Sequence, residues 1–352
     1  MATPELLRKL LTAPGPSGYE APAAAVWREA ASAFADVTSD VMGTSVARVS
    51  GTGGGPLAVC VGHIDEIGLI VTHVTDDGFL KFRPVGGWHP EVLRAQRVEI
   101  MTRDGPIPAV VGRKWARPLR AGEERKPGEL EDLFLDLGAR DKEEALSLVR
   151  IGDVAVIAGE PLELPNDRLA SRSLDDRLGA YVALEAARLV AETGDAAGDF
   201  AAVAAVQEEV GDFGGARTSA FALEPAVAII VDVTMATDVP EGDPTWYGEH
   251  GVGSGPAIAR GSTINPRVFE LLCEAAEAEG IAYTVEVSTG STHTDLDAIH
   301  VSRAGVAAGL VSIPTRYLHT PTELVAVADV EACARLVAAF VRRLPADVSF
   351  VR

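Results

Sequence analysis

Leucines at helical spacing open the chain: Leu6, Leu7, Leu10 and Leu11 predict a first helix. The Pro14–Gly18 turn interrupts it, and a second helix is expected over 21–34. Past Asp40 the texture shifts to short apolar runs of strand length, 45–49 and 57–61, separated by a glycine-rich turn at 51–55. The second run leads directly into Gly62, His63, Ile64, Asp65 and Glu66.

From 67 to 158 the apolar runs are short and turn residues recur at close intervals. Segments 69–74 and 79–82 flank Asp76, Asp77 and Gly78, while 97–102 and 107–111 flank Asp104 and Gly105, so each pair reads as a hairpin. The charged stretch 121–131 reads as a loop and 141–149 as one short helix. A small β-barrel-like module is expected here. From 166 onward helix and strand patterns alternate, with helices over 178–192, 213–222, 266–280 and 330–343. Apolar strands fall at 200–206, 226–231, 283–287 and 306–313. Such alternation predicts an α/β fold, a mixed central sheet with helices on both faces. The early strands join the same sheet, which gives one domain from 1–66 and 161–352, interrupted by an insertion at 67–160.

Composition narrows the function. Hydrophobic residues at 47% and charged residues at 23% of 352 positions describe a globular chain. A formal net charge of −20 speaks against a sequence-independent grip on nucleic acid and against an anionic membrane surface. No apolar run approaches a bilayer span, and the first residues show no secretory pattern. Cys60, Cys273 and Cys333 stand far apart in apolar surroundings, as buried free thiols of a cytoplasmic protein would.

Potential metal ligands gather just past the predicted strand ends. His63 and Asp65 follow 57–61, Glu208 and Glu209 follow 200–206, Asp232 follows 226–231, and His319 comes shortly after 306–313. Asp175 and Asp176 precede the helix at 178. In α/β sheets, ligands bind in the crevice beyond the carboxyl ends of the strands, so these side chains can converge. Singly, each has a plain structural reading as a turn histidine, a solvated loop start or a helix cap. Asp232 lies in a run of Ile and Val and needs a partner if buried. Together, two histidines with Asp175, Glu209 and Asp232 offer nitrogen and oxygen without thiolate, which suits Zn2+ or Co2+, with Mn2+ also open. Two divalent ions against three carboxylates and one hydroxide reach neutrality, which favours a dinuclear centre that activates water. Neighbours on a strand face opposite ways, so chelation by Glu209 leaves Glu208 free to face elsewhere, as the general base. Asp65 is placed to orient the His63 imidazole.

Several stretches then carry a family resemblance: GHIDEIGLIV at 62–71, SLDDRLGAYVALEA at 173–186, VQEEVGDFGGARTSA at 206–220 and VDVT at 231–234. TDLDAIHVSRAGV at 294–306 and IPTRYLHTPTELV at 313–325 continue it, and FRPVGGW at 82–88 and DLFLDLGARDKEEA at 132–145 extend it through the insertion. In this order the chain resembles the dinuclear metallo-aminopeptidases of metallopeptidase family 42, the tetrahedral (TET-type), glutamyl and leucyl group. The resemblance implies His63 and Asp232 as terminal ligands of one metal, Glu209 and His319 of the other, and Asp175 as the bridge. It implies Glu208 as base, Asp65 as the partner of His63, and a structural Asp176. The implied fold is zinc-aminopeptidase-like, interrupted by a β-rich dimerisation domain. Homo-oligomers up to a tetrahedral dodecamer built from dimers are implied too, acting on the N-terminal residues of small peptides.

Segment 115–119 departs from the Pro-Pro-His-like stretch of the family, which bears on assembly. Segment 288–293 is unusual in Ser, Thr and His, which bears on the specificity pocket; His293 reads either as a polar contact there or as a surface residue. Two rival chemistries stand beside peptide hydrolysis. One is cleavage of N-acyl amino acids or related small amides by the same metals. The other is glycoside hydrolysis, which needs two carboxylates across a sugar bond and no metal.

Overall fold

Eight strands make the central sheet, in the spatial order Asp36–Ser39, Ser45–Val49, Phe200–Ala205, Ala58–His63, Val227–Met235, Ala307–Thr315, Ala257–Gly261, Thr284–Ser288. The computed structural model describes residues 3–114 and 128–352, so segment 115–119 and positions 121–127 of the expected loop lie outside the described residues. The four central strands, from Phe200–Ala205 to Ala307–Thr315, run parallel and are almost wholly buried. Burial on both faces is why they read as unbroken apolar runs. Antiparallel pairs flank them on either side, so the sheet is mixed, as the alternation predicted.

The helices that pack on this sheet follow local signals. Pro266–Glu279 begins at Asn265, whose side chain accepts Arg267 N at 2.9 Å and Val268 N at 3.3 Å, and it ends at Gly280 with φ 63°. Leu174–Thr193 lies against Ala58–His63 at a pair of glycines. A Cβ on Gly62 would collide with the backbone of Gly179, so the helix approaches the strand as only glycine permits. That contact brings the start of the helix, with its two aspartates, next to the strand that ends in His63.

Differences from expectation fall where apolar periodicity is weak. Asp36–Ser39 is a polar edge strand bonded on one side only, to Ser45–Val49. Ala257–Gly261 is short, follows Pro256 and ends in a glycine. A small sheet of Leu162–Leu164, Arg168–Ser171 and Glu323–Ala326 joins remote segments with no alternation to announce it. The helix expected at 178 begins at Leu174, with non-helical backbone at Asp175 and Asp176, whose shared peptide is cis. The strand expected over 226–231 runs on to Met235, so Asp232 sits within it rather than past it.

Two compact units result. One comprises Met1–Glu66, Pro161–Leu318 and Thr322–Arg352; the other comprises Ile67–Glu160 with His319–Pro321. In the second, six strands close a barrel in the order Gly68–Val74, Leu80–Val85, Leu133–Asp136, Gly105–Arg113, Arg97–Thr102, Val154–Ile157. Both expected hairpins form within it, around a core that includes Leu69, Val71, Val98, Ile100 and Leu135. The three cysteines are buried and free. No helix among the described residues is long and apolar enough to cross a membrane.

Candidate metal centre

Strand register brings the first two candidate ligands together. Val61 pairs with Ile230 on the adjacent parallel strand, so two residues further on His63 comes level with Asp232, and both point to the same face. On its other side the strand of His63 pairs with Phe200–Ala205, Ala205 lying opposite His63. Beyond that strand Gln207 turns left-handed at φ 61°, and Glu208 and Glu209 follow in a turn. The non-helical first turn of Leu174–Thr193 contributes Asp175.

These five side chains form two groups that share the same imidazole. His63, Asp175 and Glu209 make one, and His63, Glu208 and Asp232 the other, with the ligand atoms of each group within 4.8 Å of one another. His63 Nε2 stands 3.1 Å from Asp175 Oδ1 and 3.8 Å from Glu208 Oε2. One expectation is corrected here. Glu208 does not face away from Glu209's partners, because Gln207 breaks the strand and its alternation; both glutamates reach the neighbourhood of His63.

Asp65 ties the cluster together. Its Oδ1 accepts Glu208 N at 3.1 Å and lies 3.4 Å from His63 Nδ1. Its Oδ2 accepts Glu209 N at 3.1 Å and the Ser17 hydroxyl at 2.6 Å. One carboxylate therefore fixes the imidazole and the backbone of both glutamates. Asp176 serves the backbone instead, accepting His63 N at 3.1 Å and Gly179 N at 2.8 Å. Asp175 N donates to Glu323 Oε2 at 3.1 Å.

Electrostatics follow from burial. Burial first, then neighbouring acids such as Asp232, pushes the Glu208 carboxyl up to about 9. Burial and the Asp175 charge likewise hold Glu209 and Asp232 well above the ordinary carboxyl range. Burial would lower His63, yet Glu208, Asp175 and Asp65 overcome it and raise the imidazole well above its usual value. Burial would raise Asp65, but its bonds to His63, Ser17 and the Glu208 amide bring it below the usual value. Five largely buried acids thus gather around one imidazole, a cluster short of positive charge. Its nitrogen and oxygen donors fit divalent cations, and an imidazole with Nδ1 toward a carboxylate and Nε2 toward the remaining acids is oriented as a metal ligand is.

His319 belongs to the barrel-containing unit, has φ 57°, and sets its ring beside Gly87, where a Cβ would come within 2.9 Å of Nδ1. Among the described residues it is part of neither ligand group. His293 is exposed, its backbone N bonded to Asp297 Oδ2 at 3.0 Å. Sequence reasoning missed Ser17, which it took for part of a helix break, and assigned nothing to Asp295. No spacing signal links Ser17 to Asp65; only the folded chain joins them.

Residues 43–336 match the family described as M42 glutamyl aminopeptidase. The lysyl aminopeptidase of Pyrococcus furiosus is 34% identical over 354 residues, covering 97% of this chain and 97% of that protein. Aminopeptidase APDkam598 from the archaeon Desulfurococcus kamchatkensis matches with a TM-score of 0.87 at 37% identity, over 96% of this chain and 94% of that one. The TET1 peptidase of Pyrococcus horikoshii, which can assemble into a tetrahedron or a large octahedral shell, matches with a TM-score of 0.83 at 29% identity, over 96% and 98% of the two chains. Likeness of this extent covers both the sheet and the barrel, and it makes the chain a peptide hydrolase that belongs to the M42 glutamyl aminopeptidase family.

Proposed function

We propose that this aminopeptidase removes N-terminal residues from small peptides at a dinuclear metal centre, with Glu208 as general base. The metal site in this reading is carried by the gathering of Asp175, Glu208, Glu209 and Asp232 around His63 in an acid-rich interior, and the number of ions, two, rests on the sequence resemblance. His63, Asp175, Glu209, Asp232 and His319 would hold two divalent ions, Zn2+ or Co2+, with Asp175 between them. The place of His319 in this set rests on the sequence resemblance. Bound there, the ions would supply Lewis acidity and lower the pKa of water at neutral pH.

The chain's own groups do the rest. Asp65 holds the imidazole and the Glu208 and Glu209 amides in one arrangement. With Glu209 and Asp232 as ligands, Glu208 is the buried carboxylate left to take a proton from the attacking water at Oε2 and pass it to the leaving amine. The 67–160 unit serves as the dimerisation domain of a homo-oligomer, up to a tetrahedral dodecamer; the likeness to the TET1 peptidase supports this.

A panel of aminoacyl chromogenic substrates and N-acetylated dipeptides, assayed after chelation and again after adding Zn2+ or Co2+, tests the reading. Loss with the chelator, recovery with metal and turnover of free-amine substrates alone are expected. Full activity in the chelator overturns the metal centre, and preferential cleavage of acetylated dipeptides favours the amide hydrolase. Light scattering that shows only monomers overturns the assembly.

A further inference from the structure

Asp295 stands immediately before the short helix Leu296–Ile299, where an aspartate ordinarily caps the first turn. It makes no capping bond. Leu296 N donates instead to Thr294 Oγ1 at 3.2 Å, while the Asp295 carbonyl accepts Ala298 N at 3.2 Å and Ile299 N at 3.1 Å. The carboxylate turns inward and is 1% exposed. Among the described residues neither of its oxygens has a hydrogen-bond partner.

The charges it meets all belong to the cluster described above. His63 and Asp65 act on it, and it acts on Glu208 and Asp232. Burial is the largest influence and pushes its carboxyl up to about 7. An acid buried without a donor is unfavourable, and three neighbouring carboxylates make it more so. A cation at the cluster would reverse the sign of that balance. Asp295 is in neither ligand group, and the family resemblance, which places His319 among the ligands, gives it no such place.

We propose that Asp295 holds the metal ions from outside the ligand set, supplying negative charge to the centre without occupying a coordination position. This rests on the metal-centre reading above. It follows that the residue weakens the metal-free fold and strengthens metal binding, two effects of opposite sign.

Asp295→Asn keeps the volume and removes the charge. Zn2+ affinity, measured by competition with a chromophoric chelator, is expected to fall about 10- to 100-fold. The midpoint of thermal unfolding of the EDTA-treated protein is expected to rise, because the variant no longer buries an uncompensated acid. A merely structural role would lower that midpoint. Zn2+ affinity within about threefold of wild type, or a lower metal-free midpoint, overturns the proposal. Asp295→Ser gives the same comparison should the amide variant fold poorly. Wild-type uptake measured alongside separates the two readings. A wild type that takes up no Zn2+ overturns the metal centre and this proposal with it, whereas equal uptake by both proteins overturns the role of Asp295 alone.

Discussion

Asp65→Asn is the sharpest test of how the candidate site is held. The carboxylate accepts three hydrogen bonds, from Glu208 N at Oδ1 and from Glu209 N and the Ser17 hydroxyl at Oδ2, and its Oδ1 stands 3.4 Å from the imidazole Nδ1. An amide accepts on one atom only. Turned either way, its NH2 meets a buried backbone N–H, which then loses its acceptor at a cost of about 1–3 kcal/mol. The bonds that survive lose their charge assistance, about 1 kcal/mol more for each, since bonds to charged groups contribute roughly twice as much as neutral ones. Destabilisation of about 2–5 kcal/mol follows, near the upper end for single substitutions. The imidazole also loses the group that orients it, and metal affinity should fall about 10- to 100-fold, as is usual for such partners of ligating histidines. Urea unfolding reads the first effect and chelator competition the second, both on purified variant and wild type. A variant whose stability lies within about 0.5 kcal/mol of wild type, the range of neutral surface changes, and which binds Zn2+ equally well, would refute the idea that Asp65 organises the site.

Glu208→Gln should lower kcat by about 10²- to 10⁴-fold, the usual contribution of a positioned base, while metal content by elemental analysis stays unchanged. Loss of metal together with activity would instead make Glu208 a ligand, as its group with His63 and Asp232 allows. Ser17→Ala removes the 2.6 Å bond to Asp65 Oδ2 and should reduce kcat about tenfold, the worth of one hydrogen bond, with KM kept and Ser17→Thr restoring much of the loss. Equal kcat in Ser17→Ala and wild type would count against that link. Glu20 gives a pH prediction. Burial above all raises its carboxyl to about 7 from 4.5, so the stability tied to it is fully present below about 4.5 and is lost as pH rises through 7. Glu20→Gln should therefore be more stable than wild type at pH 8, by at most about 3 kcal/mol, and nearly equal at about pH 4, where Glu20 is largely protonated in the folded and the unfolded chain alike. A gain that is the same at both pH values would show that Glu20 does not titrate this way.

Much of the architecture was legible before any coordinates. The parallel centre of the sheet announced itself because strands buried on both faces must be apolar, and Phe200–Ala205 and the stretch 227–231 are. The helix expected over 266–280 formed, and the paired hairpins of the barrel followed from turn residues between apolar runs. What stayed hidden had no local signature. Asp36–Ser39 is too polar for an apolar run to mark it, and the pairing of Arg168–Ser171 with Glu323–Ala326 joins segments far apart in the chain.

The same division holds at the candidate site. His63, Glu208, Glu209 and Asp232 could be picked out by residue type and by their position after apolar runs, and Asp175 by its place before a helix. The company each keeps came from the fold: the register that sets His63 level with Asp232, the glycine contact that draws the helix of Asp175 onto the strand of His63, and the left-handed Gln207 that keeps both glutamates near one imidazole. Periodicity and residue chemistry are written in neighbouring positions and can be read there. Hydrogen-bond partners such as Ser17 for Asp65, and the burial that leaves Asp295 among acids, arise from packing between remote segments, which only the tertiary structure decides.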